Sequence, residues 1–421
     1  MLQRFPATEV MAAAAPRQVG GIARSATPAR ICFPFGGGAV GGSHISAIKL
    51  IQGLDRARFA PLIVLHYGGG QLGQLLRSEG LDYITLPGRR FFGQSRGVPQ
   101  TGGAISFLNT CFDQWRLAGF LKLHGVQIVH SNEGAMHISW ALPARLGGAK
   151  LLWHHRGMPD PRGVRFLAPV IASRIVGVSQ FALSEVQRAK KAARKTAVVY
   201  SPFDTDAEPI DKARAHQALI EELNVDPRTK LIGFFGNLVE RKRPMLFVET
   251  VARLAEKRPA LSFLGLMFGS ALEPGVEDQL TERAQTLGIS HRLRLMGFRY
   301  NSAELMAACD IHAVPAIDEP FGRSLIEAML LGTPVVAAAS GGNLEAIEEG
   351  VTGLLSAADD PAAMAEAILR LLDSPDQAEA IAAKALKAAT QLYGADRHVA
   401  QISAIYQSLL SAAKTGTDQP W

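Results

Sequence analysis

The sequence has few cysteines and no long apolar run, and each shortage excludes a class of protein. Its three cysteines, Cys32, Cys111 and Cys309, lie far apart in a chain of 421 residues and show no CxxC spacing. This excludes a disulfide framework and a cysteine-based zinc site, and it favours a reducing compartment such as the cytoplasm. No window approaches the roughly 18 consecutive apolar residues of a membrane-spanning helix, so we expect none.

Charge is also scarce, since only 19% of the residues are charged and the net charge is +6. A mildly basic chain can contact anionic substrates or an anionic membrane surface. The sequence shows no stripe of basic residues interleaved with aromatic ones, so we expect no nucleic-acid partner. With 48% hydrophobic residues, the chain can fill the cores of two domains of about 200 residues each.

The first 29 residues are rich in Ala, Arg and Gly, and Pro6, Pro16 and Pro28 interrupt any helix. Their arginine excess is typical of a transit peptide, but they lack a convincing amphipathic helix and the apolar core of a secretory signal. We therefore interpret residues 1–29 as a mobile leader.

Apolar strand patterns alternate with helical patterns along the rest of the chain. One series begins with ICFPF at Ile31 and ends near AVVYSPFD, and a second begins with KLIGFFG at Lys230. Such alternation predicts α/β domains whose parallel sheets are covered on both faces. We predict two Rossmann-like domains, at 30–200 and 201–390, and a helix and tail at 391–421 that pack back on the first domain. Ligands of such sheets bind at the carboxyl ends of the strands, so both sheets should face a central cleft.

A glycine cluster follows the first strand, at positions 36, 37, 38, 41 and 42. Glycine lets the backbone approach a ligand closely. A flexible turn without function and a dinucleotide site are the alternatives. The dinucleotide site is disfavoured because the order is not GxGxxG and no acidic residue follows a clear second strand.

The stretch DEPFGRSLIEAMLLGTPVVAAASGG, from Asp318 to Gly342, places two carboxylates around a turn. Glu319 precedes the Phe-Gly pair, and Glu327 lies eight positions further on. Good helix formers predict a helix over 324–331, which the Gly-Thr-Pro sequence at 332–334 ends. Glu319 should lie in the loop before this helix and Glu327 about one turn inside it.

The backbone N–H groups of Gly322, Arg323 and Ser324 would form the free start of that helix, which suits a phosphate. Two carboxylates beside an anion pocket suit a molecule with both hydroxyls and phosphates, such as a nucleotide sugar. The alternative is that each glutamate is solvated or forms a salt bridge, as most glutamates on helices do.

The segment GNLVERKRP follows the strand KLIGFFG and contains Lys242. Such a basic run is usually a solvated loop. Directly after a buried strand, however, a lysine can meet a diphosphate as a compact point charge.

The motif EPFGRSLIEAM followed by GTPVVA resembles the signature of retaining glycosyltransferases with the GT-B fold, family 4, also called group 1. That signature has a Glu, a Gly-Phe-Gly or close variant, a second Glu eight positions after the first, Ala-Met, and a Gly-x-Pro-Val-Val turn. The segment GGNLEAIEEGVTGLL is similar to the family's Gly-Gly-x-x-Glu and Gly-x-x-Gly-Leu-Leu sequences. The resemblance is close over 231–355 and loose over 31–204.

The resemblance implies roles for individual residues. Glu319 would contact the sugar hydroxyls, Glu327 the ribose and Lys242 the diphosphate. This chain departs from the family pattern at Pro320, at Ser201-Pro202, and at Asn237, where the family has a second cation that Arg241 or Arg243 could replace. The implied donor-binding positions are Gly41, Gly42, Asn237, Lys242, Gly269, Phe298, Phe321, Gly322, Arg323, Ser324 and Glu327, and the implied catalytic residues are Glu319, Lys242 and His155.

His155 is favoured because a family histidine at the end of a strand of the first domain faces the donor sugar. The segment WHHRGMP also supplies His154, and His130 ends another strand. The alternative for each is a histidine with a purely structural place in the core or a loop.

The resemblance implies a glycosyltransferase that moves a sugar from a nucleoside diphosphate sugar to a polysaccharide, lipid-linked or small-molecule acceptor. Neither a metal nor another cofactor is expected, and the Asp-Thr-Asp string at 204–206 is predicted to be a polar turn. A basic cluster at 187–196 is either a solvated face or a peripheral contact with the inner face of the membrane. Three alternatives stay open: a scaffold subunit that binds sugar nucleotides, a GT-B epimerase, and a glycosidase, which is disfavoured because it would not need the phosphate-ready helix start.

Overall fold

The computed structural model describes residues 27–38, 40–86 and 104–414. The predicted leader, apart from its last three residues, and the end of the predicted tail lie outside the described residues.

The first sheet is parallel and has seven strands in the order β3-β2-β1-β4-β5-β6-β7. Its strands are rich in apolar residues on both faces, as expected for a sheet covered by helices on either side. They are β1 Ala29–Phe35, β2 Phe59–Leu65, β3 Tyr83–Thr85, β4 Val126–Ser131, β5 Lys150–His155, β6 Arg174–Gly177 and β7 Thr196–Val198.

Helices connect these strands and cover both faces of the sheet. They are α1 Gly42–Gly53, α2 Gln71–Ser78, α3 Ala104–Leu123, α4 Gly134–Gly147, α5 Ala168–Ile171, α6 Gln180–Gln187 and α7 Lys190–Ala193, with one π-helical turn at Gly163–Leu167. On one face, α1 and α2 pack against β1 and β2 around Phe33 and Leu72. On the other, α3, α4 and α6 pack around Trp140 and Trp153.

The second sheet is parallel and has six strands in the order β10-β9-β8-β11-β12-β13. Every residue of Phe263–Phe268 is buried, as in a central strand between two helical layers. The strands are β8 Lys230–Phe235, β9 Phe263–Phe268, β10 Leu293–Gly297, β11 Ile311–Val314, β12 Val335–Ala338 and β13 Leu354–Ser356.

Helices again separate the strands, and three more follow the last strand. They are α8 Lys212–Leu223, α9 Pro244–Lys257, α10 Val276–Thr286, α11 Ser302–Ala308, α12 Arg323–Leu330, α13 Asn343–Ala346, α14 Pro361–Leu372, α15 Pro375–Tyr393 and α16 Ala395–Lys414. The two parallel sheets confirm the predicted α/β fold with two Rossmann-like domains.

The two domains contact each other through specific hydrogen bonds. Glu345, in α13 of the second domain, accepts hydrogen bonds from the backbone N–H groups of Gln180 (2.9 Å) and Phe181 (2.7 Å) at the start of α6. Ser179 donates its hydroxyl to the carbonyl oxygen of Pro320. Burial raises the pKa of Glu345, and the two N–H groups at the positive end of this helix in the other domain only partly oppose that effect.

The last helix, α16, leaves the second domain and packs on the first. It contacts α1, and its Tyr406 is fully buried beside Phe59, with ring centroids 5.4 Å apart. The chain therefore crosses between the domains twice, once after β7 and once before α16.

Candidate functional site

The strand order reverses at one point in each sheet, and the candidate residues follow the strands beside these points. In the first sheet, β1 lies beside β4; the glycine-rich segment 36–42 follows β1, and Glu133 follows β4. In the second, β8 lies beside β11; Lys242 follows β8, and Glu319 follows β11. Parallel sheets bind ligands in the crevice at such reversals. The sequence motifs that lie far apart in the chain are therefore brought to the ligand-binding edges of the two sheets.

Glu319 lies between two cations. The ammonium of Lys242 is 2.8 Å from its Oε2 atom, and the guanidinium of Arg241 donates to the same oxygen. Only 11% of the Glu319 side chain is exposed. Burial alone would raise the pKa of Glu319, but the charges and hydrogen bonds of Lys242 and Arg241 outweigh burial and hold it below the ordinary value of 4.5. The carboxylate is therefore ionised at neutral pH and gathers two cations at the end of β8.

A single turn of 3₁₀-helix, Glu240–Lys242, decides which neighbouring basic residues reach Glu319. Arg241 reaches it. Arg243 instead lies directly before α9 with a φ of +53°, and its Nε lies 2.9 Å from Oδ1 of Asp359. Asn237 is exposed at the start of the same loop. Of the two arginines that could replace the missing family cation, the structure brings Arg241 to the site and turns Arg243 away.

Glycines allow the loops around Lys242 and Glu319 to approach each other. Gly269 has a φ of +146°, and a Cβ atom there would lie 1.9 Å from the carbonyl oxygen of Gly236. Gly341 has a φ of +57°, and its Cβ would lie 2.7 Å from the amide nitrogen of Glu319. Larger residues at Gly269 or Gly341 would thus displace the backbone that carries the site.

The helix that follows Glu319 begins one residue earlier than expected, at Arg323. Gly322 precedes it with a φ of +78°, a left-handed conformation that glycine adopts without strain. Glu327, in the second turn, lies 3.3 Å from the guanidinium of Arg323. Burial raises the pKa of Glu327, and the charge of Arg323 only partly opposes that effect. Leu325, on the opposite side, is fully buried in the core.

The two phenylalanines predicted to bind the donor have different environments. Phe298 follows β10, is exposed, and packs edge-on against Tyr300 with 4.9 Å between ring centroids. Phe321 is buried, and its ring lies about equally far from Tyr200 and Phe203, at 6.0 Å from each. The structure thus leaves the ring of Phe298 accessible and uses the ring of Phe321 in the packing between the domains.

The glycine-rich loop of the first domain meets the start of α12. A Cβ on Gly42 would lie 2.7 Å from Cδ of Arg323, and Arg323 donates to the hydroxyl of Ser46 at 3.4 Å. Gly41 donates its N–H to Nδ1 of His44 at 2.9 Å. The glycines at positions 41 and 42 therefore lie opposite the predicted phosphate-binding turn.

Glu133 supports this loop, although sequence reasoning did not identify it. Its carboxylate accepts from Nε2 of His44 at 2.7 Å and from the N–H of Gly36 at 3.3 Å. Its position directly after β4, at the strand-order reversal, was the signal that could have found it.

His155 ends β5, and its ring turns toward the next loop. Its Nε2 donates to the carbonyl oxygen of Met158 at 2.6 Å, and burial lowers its pKa although that hydrogen bond opposes the effect. His130 and His154, the other candidates, are fully buried and bonded to each other at 3.0 Å. The hydroxyl of Tyr406 extends this hydrogen-bonded series, because it is hydrogen-bonded to Nδ1 of His130. A catalytic role for His155 stays a prediction.

Arg156 is a cation beside these histidines, and sequence reasoning did not identify it either. It donates to Asn132 (3.2 Å), Ser201 (3.1 Å) and His154 (3.3 Å). Burial, and then the charge of Arg323, lower its pKa to about 9. Among the described residues, no carboxylate lies within ion-pair distance of Arg156.

A cavity of about 800 Å³ lies elsewhere, near the amino ends of β8, β11 and β12. Its lining includes Lys212, Lys230 and Asp310 but none of the predicted site residues. At the candidate site, Lys242 and Arg241 lie on Glu319, and the cavity that Lys242 and Ser324 line has a volume of only about 10 Å³. Cavity volume therefore does not locate the site in this conformation.

The described part of the chain contains no group of three or more His, Cys, Asp or Glu side chains that could hold a metal ion. None of its helices is both long enough and apolar enough to cross a membrane.

The chain is similar to proteins of known activity mainly in its second half. Residues 216–388 match the family described as Glycosyl transferases group 1. A D-inositol 3-phosphate glycosyltransferase from Corynebacterium urealyticum is 33% identical over 226 residues, which are 53% of each chain. A lipopolysaccharide core biosynthesis mannosyltransferase, LpsB, from Rhizobium meliloti is 32% identical over 206 residues, 48% of this chain and 57% of LpsB. The matches thus span only about half the length of these relatives.

Solved structures match over most of the chain. Anabaena Alr3699/HepE in complex with UDP superposes with a TM-score of 0.76 at 23% identity, covering 90% of this chain and 100% of HepE. The same protein in complex with UDP-glucose gives a TM-score of 0.74 at 24% identity, covering 90% and 99%. At this level of identity the similarity shows the fold.

The family match includes the candidate site, because residues 216–388 contain Lys242, Glu319 and Glu327. Residues 216–388 therefore form a glycosyl transferases group 1 domain, and the chain as a whole has the GT-B fold.

Proposed function

We propose that this chain is a retaining glycosyltransferase that moves a sugar from a nucleoside diphosphate sugar to a hydroxyl of a polysaccharide, glycolipid or small-molecule acceptor. The observation that carries the proposal is the convergence of Lys242 and Arg241 on Glu319, next to the start of α12. Two cations and the free N–H groups of a helix suit a diphosphate. A carboxylate among them suits the hydroxyls of a sugar.

The diphosphate would draw both cations away from Glu319. Lys242 contacts it as a point charge, and Arg241 supplies the second cation that Asn237 cannot. The N–H groups of Arg323 and Ser324 bind the same phosphates. Glu319 is then free to accept hydrogen bonds from the sugar, while Glu327 accepts from the ribose. This division of roles uses each charged group for one part of the donor.

In the transfer step, the bond between the anomeric carbon and the phosphate oxygen breaks, and the nucleoside diphosphate leaves with the bonding electron pair. The acceptor hydroxyl attacks the same face of the sugar, and its proton passes to the departing phosphate oxygen. Lys242, Arg241 and the helix N–H groups stabilise the charge on the leaving group, which is the largest kind of contribution an enzyme makes. Because these groups supply the positive charge, we propose that the reaction needs no metal ion.

The base of the donor is proposed to be uracil, because the solved protein HepE has the same fold and binds UDP and UDP-glucose. On the acceptor side, Arg156 favours an anionic molecule, since it has no carboxylate partner among the described residues. The name of the corynebacterial relative, a D-inositol 3-phosphate glycosyltransferase, agrees with such an acceptor. A cytoplasmic location is proposed because Cys32 and Cys309 are buried free thiols, which suits a reducing compartment.

A scaffold subunit that binds sugar nucleotides is the second candidate, and the departure at Asn237 favours it. A thermal-shift screen with UDP, GDP and ADP sugars identifies the bound donor, since a ligand at 100 times its Kd stabilises the folded state by about 2.7 kcal/mol. The purified chain is then assayed for release of the nucleoside diphosphate. Release supports the transferase, whereas binding without release supports the scaffold. Conversion of the donor into an isomeric nucleotide sugar would instead indicate an epimerase.

A further inference from the structure

Exposed large apolar side chains are concentrated on one layer of the first domain. Of the fifteen such side chains among the described residues, eight lie between positions 112 and 170. Scattered exposed apolar residues are normal, but a contiguous group marks an interaction surface. The eight residues are Phe112, Trp115, Leu123, Ile138, Leu142, Leu146, Phe166 and Val170.

The spacing of these residues places them on the outer faces of packed helices. In α3, Trp115 follows Phe112 by three positions, and in α4, Leu142 follows Ile138 by four. The two helices pack against each other. Their opposite sides, with Leu117 and Trp140, are buried on the sheet. The exposed residues thus belong to helices whose inner faces are already used by the core.

The stretch of chain that contains these residues has an excess of positive charge. Residues 104–195 contain thirteen Lys and Arg but only four Asp and Glu, whereas the whole chain has 44 and 38. On the outer surface of α3 and α4, Arg116, Lys122 and Arg145 are exposed. Asp113 is the only acidic residue in these two helices, and it is half-buried.

The basic cluster at 187–196 lies on the same side of the sheet. Its members differ in their contacts. Arg188 pairs with Glu185 at 3.0 Å, and Lys195 turns inward to the carbonyl oxygens of Pro169 and Ala172. Lys190 and Lys191 are exposed. The cluster therefore presents only part of its charge to solvent, and this part extends the charge of the larger layer.

We propose that the outer face of α3, α4 and the segment 163–171 docks on an anionic membrane surface. We call it the apolar-basic face, and it consists of the eight apolar residues above with Arg116, Lys122, Arg145 and Arg165. Aromatic and aliphatic side chains that enter the headgroup region, flanked by Lys and Arg, are the composition of interfacial helices. Each basic residue near such a surface strengthens the binding.

A protein partner fits this face less well. Lysine is depleted in the cores of protein interfaces, whereas here Lys122 lies one residue from Leu123, the most exposed leucine of the face. Long basic side chains can instead reach lipid phosphates while their stems cover apolar surface. The mixture of charge and apolar area therefore favours lipid.

One end of this face lies beside the ligand-binding edge of the first sheet. The helix α4 begins at Gly134, directly after Glu133, which holds the glycine-rich loop. This position suits a lipid-linked acceptor, an inference that rests on the proposed function. Docking itself does not depend on transfer activity.

The test uses flotation of the full-length chain with vesicles of phosphatidylcholine, alone or mixed with phosphatidylglycerol. We expect binding to the mixed vesicles only, and weaker binding at high salt. Substituting Trp115→Ser with Leu142→Ser, or Lys122→Glu with Arg145→Glu, should lower the partition coefficient by at least about tenfold. The matched controls, Leu272→Ser with Leu386→Ser and Lys384→Glu with Lys387→Glu, change exposed residues of the second domain and should bind as the native chain does.

Tryptophan fluorescence tests whether the apolar-basic face itself contacts the lipid. Trp115 is 75% exposed, whereas Trp140 is 0% and Trp153 is 2% exposed. The fourth tryptophan, Trp421, lies outside the described residues, so it is first replaced by phenylalanine. Brominated lipid should quench the resulting Trp421→Phe chain but not the variant that combines Trp421→Phe with Trp115→Phe. Equal binding to neutral vesicles, no binding at all, or equal loss in the control variants would overturn the proposal. Affinity for UDP, measured in parallel, should be unchanged in every variant, so a failure of docking is distinct from a failure of the proposed function.

Discussion

Lys242 and Glu319 form an ion pair of 2.8 Å between the ends of two neighbouring strands, and Arg241 donates to the same carboxylate oxygen. One carboxylate thus holds two cations in place. A diphosphate that binds at the start of α12 would compete with Glu319 for both of them. The variants of these residues are therefore the most informative.

We predict that Lys242→Ala and Arg241→Ala each weaken the binding of UDP. Loss of one charge-assisted hydrogen bond, about 1.5–3 kcal/mol, corresponds to about a tenfold to hundredfold rise in Kd. Arg243→Ala is the matched control, because Arg243 pairs with Asp359 instead. Titration calorimetry measures the three values. Unchanged UDP affinity in both Lys242→Ala and Arg241→Ala would remove these cations from the site.

The two glutamates should respond differently to substitution by glutamine. Glu319→Gln removes the charge near the reacting carbon and should lower kcat by a factor that corresponds to about 2.7–4 kcal/mol. Glu327→Gln removes binding shared by the ground and transition states, so KM should rise more than kcat falls. Steady-state kinetics separates these effects. Small and equal losses of kcat in two variants that remain folded by circular dichroism would contradict the assigned roles.

The sequence predicted the fold, and it selected Lys242 and Glu319, which the structure brings together, because both inferences depend on local patterns. The glycines that end β8 and β9, and the helix after Glu319, are encoded within a few residues. By contrast, one 3₁₀ turn determines whether Arg241 or Arg243 reaches Glu319. The sequence does not predict the direction of that turn.

Contacts between distant segments were the part that the sequence could not provide. Phe321 looked available to the donor from its place in the motif, but Tyr200 and Phe203 from the linker cover its ring. Arg156 became visible only when the fold brought Asn132 and Ser201 to it. Such contacts depend on tertiary packing, which local sequence patterns do not reveal.

A histidine cluster where α16 meets the first domain should make the fold sensitive to acid. Burial, and then the charge of Arg156, lower the pKa of His398 to about 3. Its Nδ1 donates to the carbonyl oxygen of Tyr200 at 2.6 Å. Because the folded pKa lies below the unfolded value, this stabilisation is complete above about pH 6.5 and is lost as the pH falls towards the folded pKa.

We therefore expect the free energy of unfolding to fall by about 1.4 kcal/mol per pH unit for each such histidine below pH 6.5. His398→Asn keeps a donor for Tyr200 but does not titrate, so it should reduce this slope. Urea unfolding at several pH values between 7 and about 4.5 measures it, with His291→Asn as the exposed control. An identical slope in His398→Asn and the native chain would be evidence against a buried neutral His398.

Activity should survive an excess of EDTA, because Lys242, Arg241 and the start of α12 supply the positive charge that a metal would otherwise provide. The assay is donor turnover before and after dialysis against EDTA, with magnesium or manganese added back. Complete loss that either ion restores would point instead to the carboxylates of Asp204 and Asp206.

The most direct test of the account is release of nucleoside diphosphate from UDP-glucose and related donors by the native chain, compared with Glu319→Gln and Lys242→Ala. The account predicts turnover by the native chain, faster with an acceptor present, and a loss of at least about a hundredfold in Glu319→Gln. A native chain that binds these donors but releases no diphosphate, with or without acceptors, would contradict it.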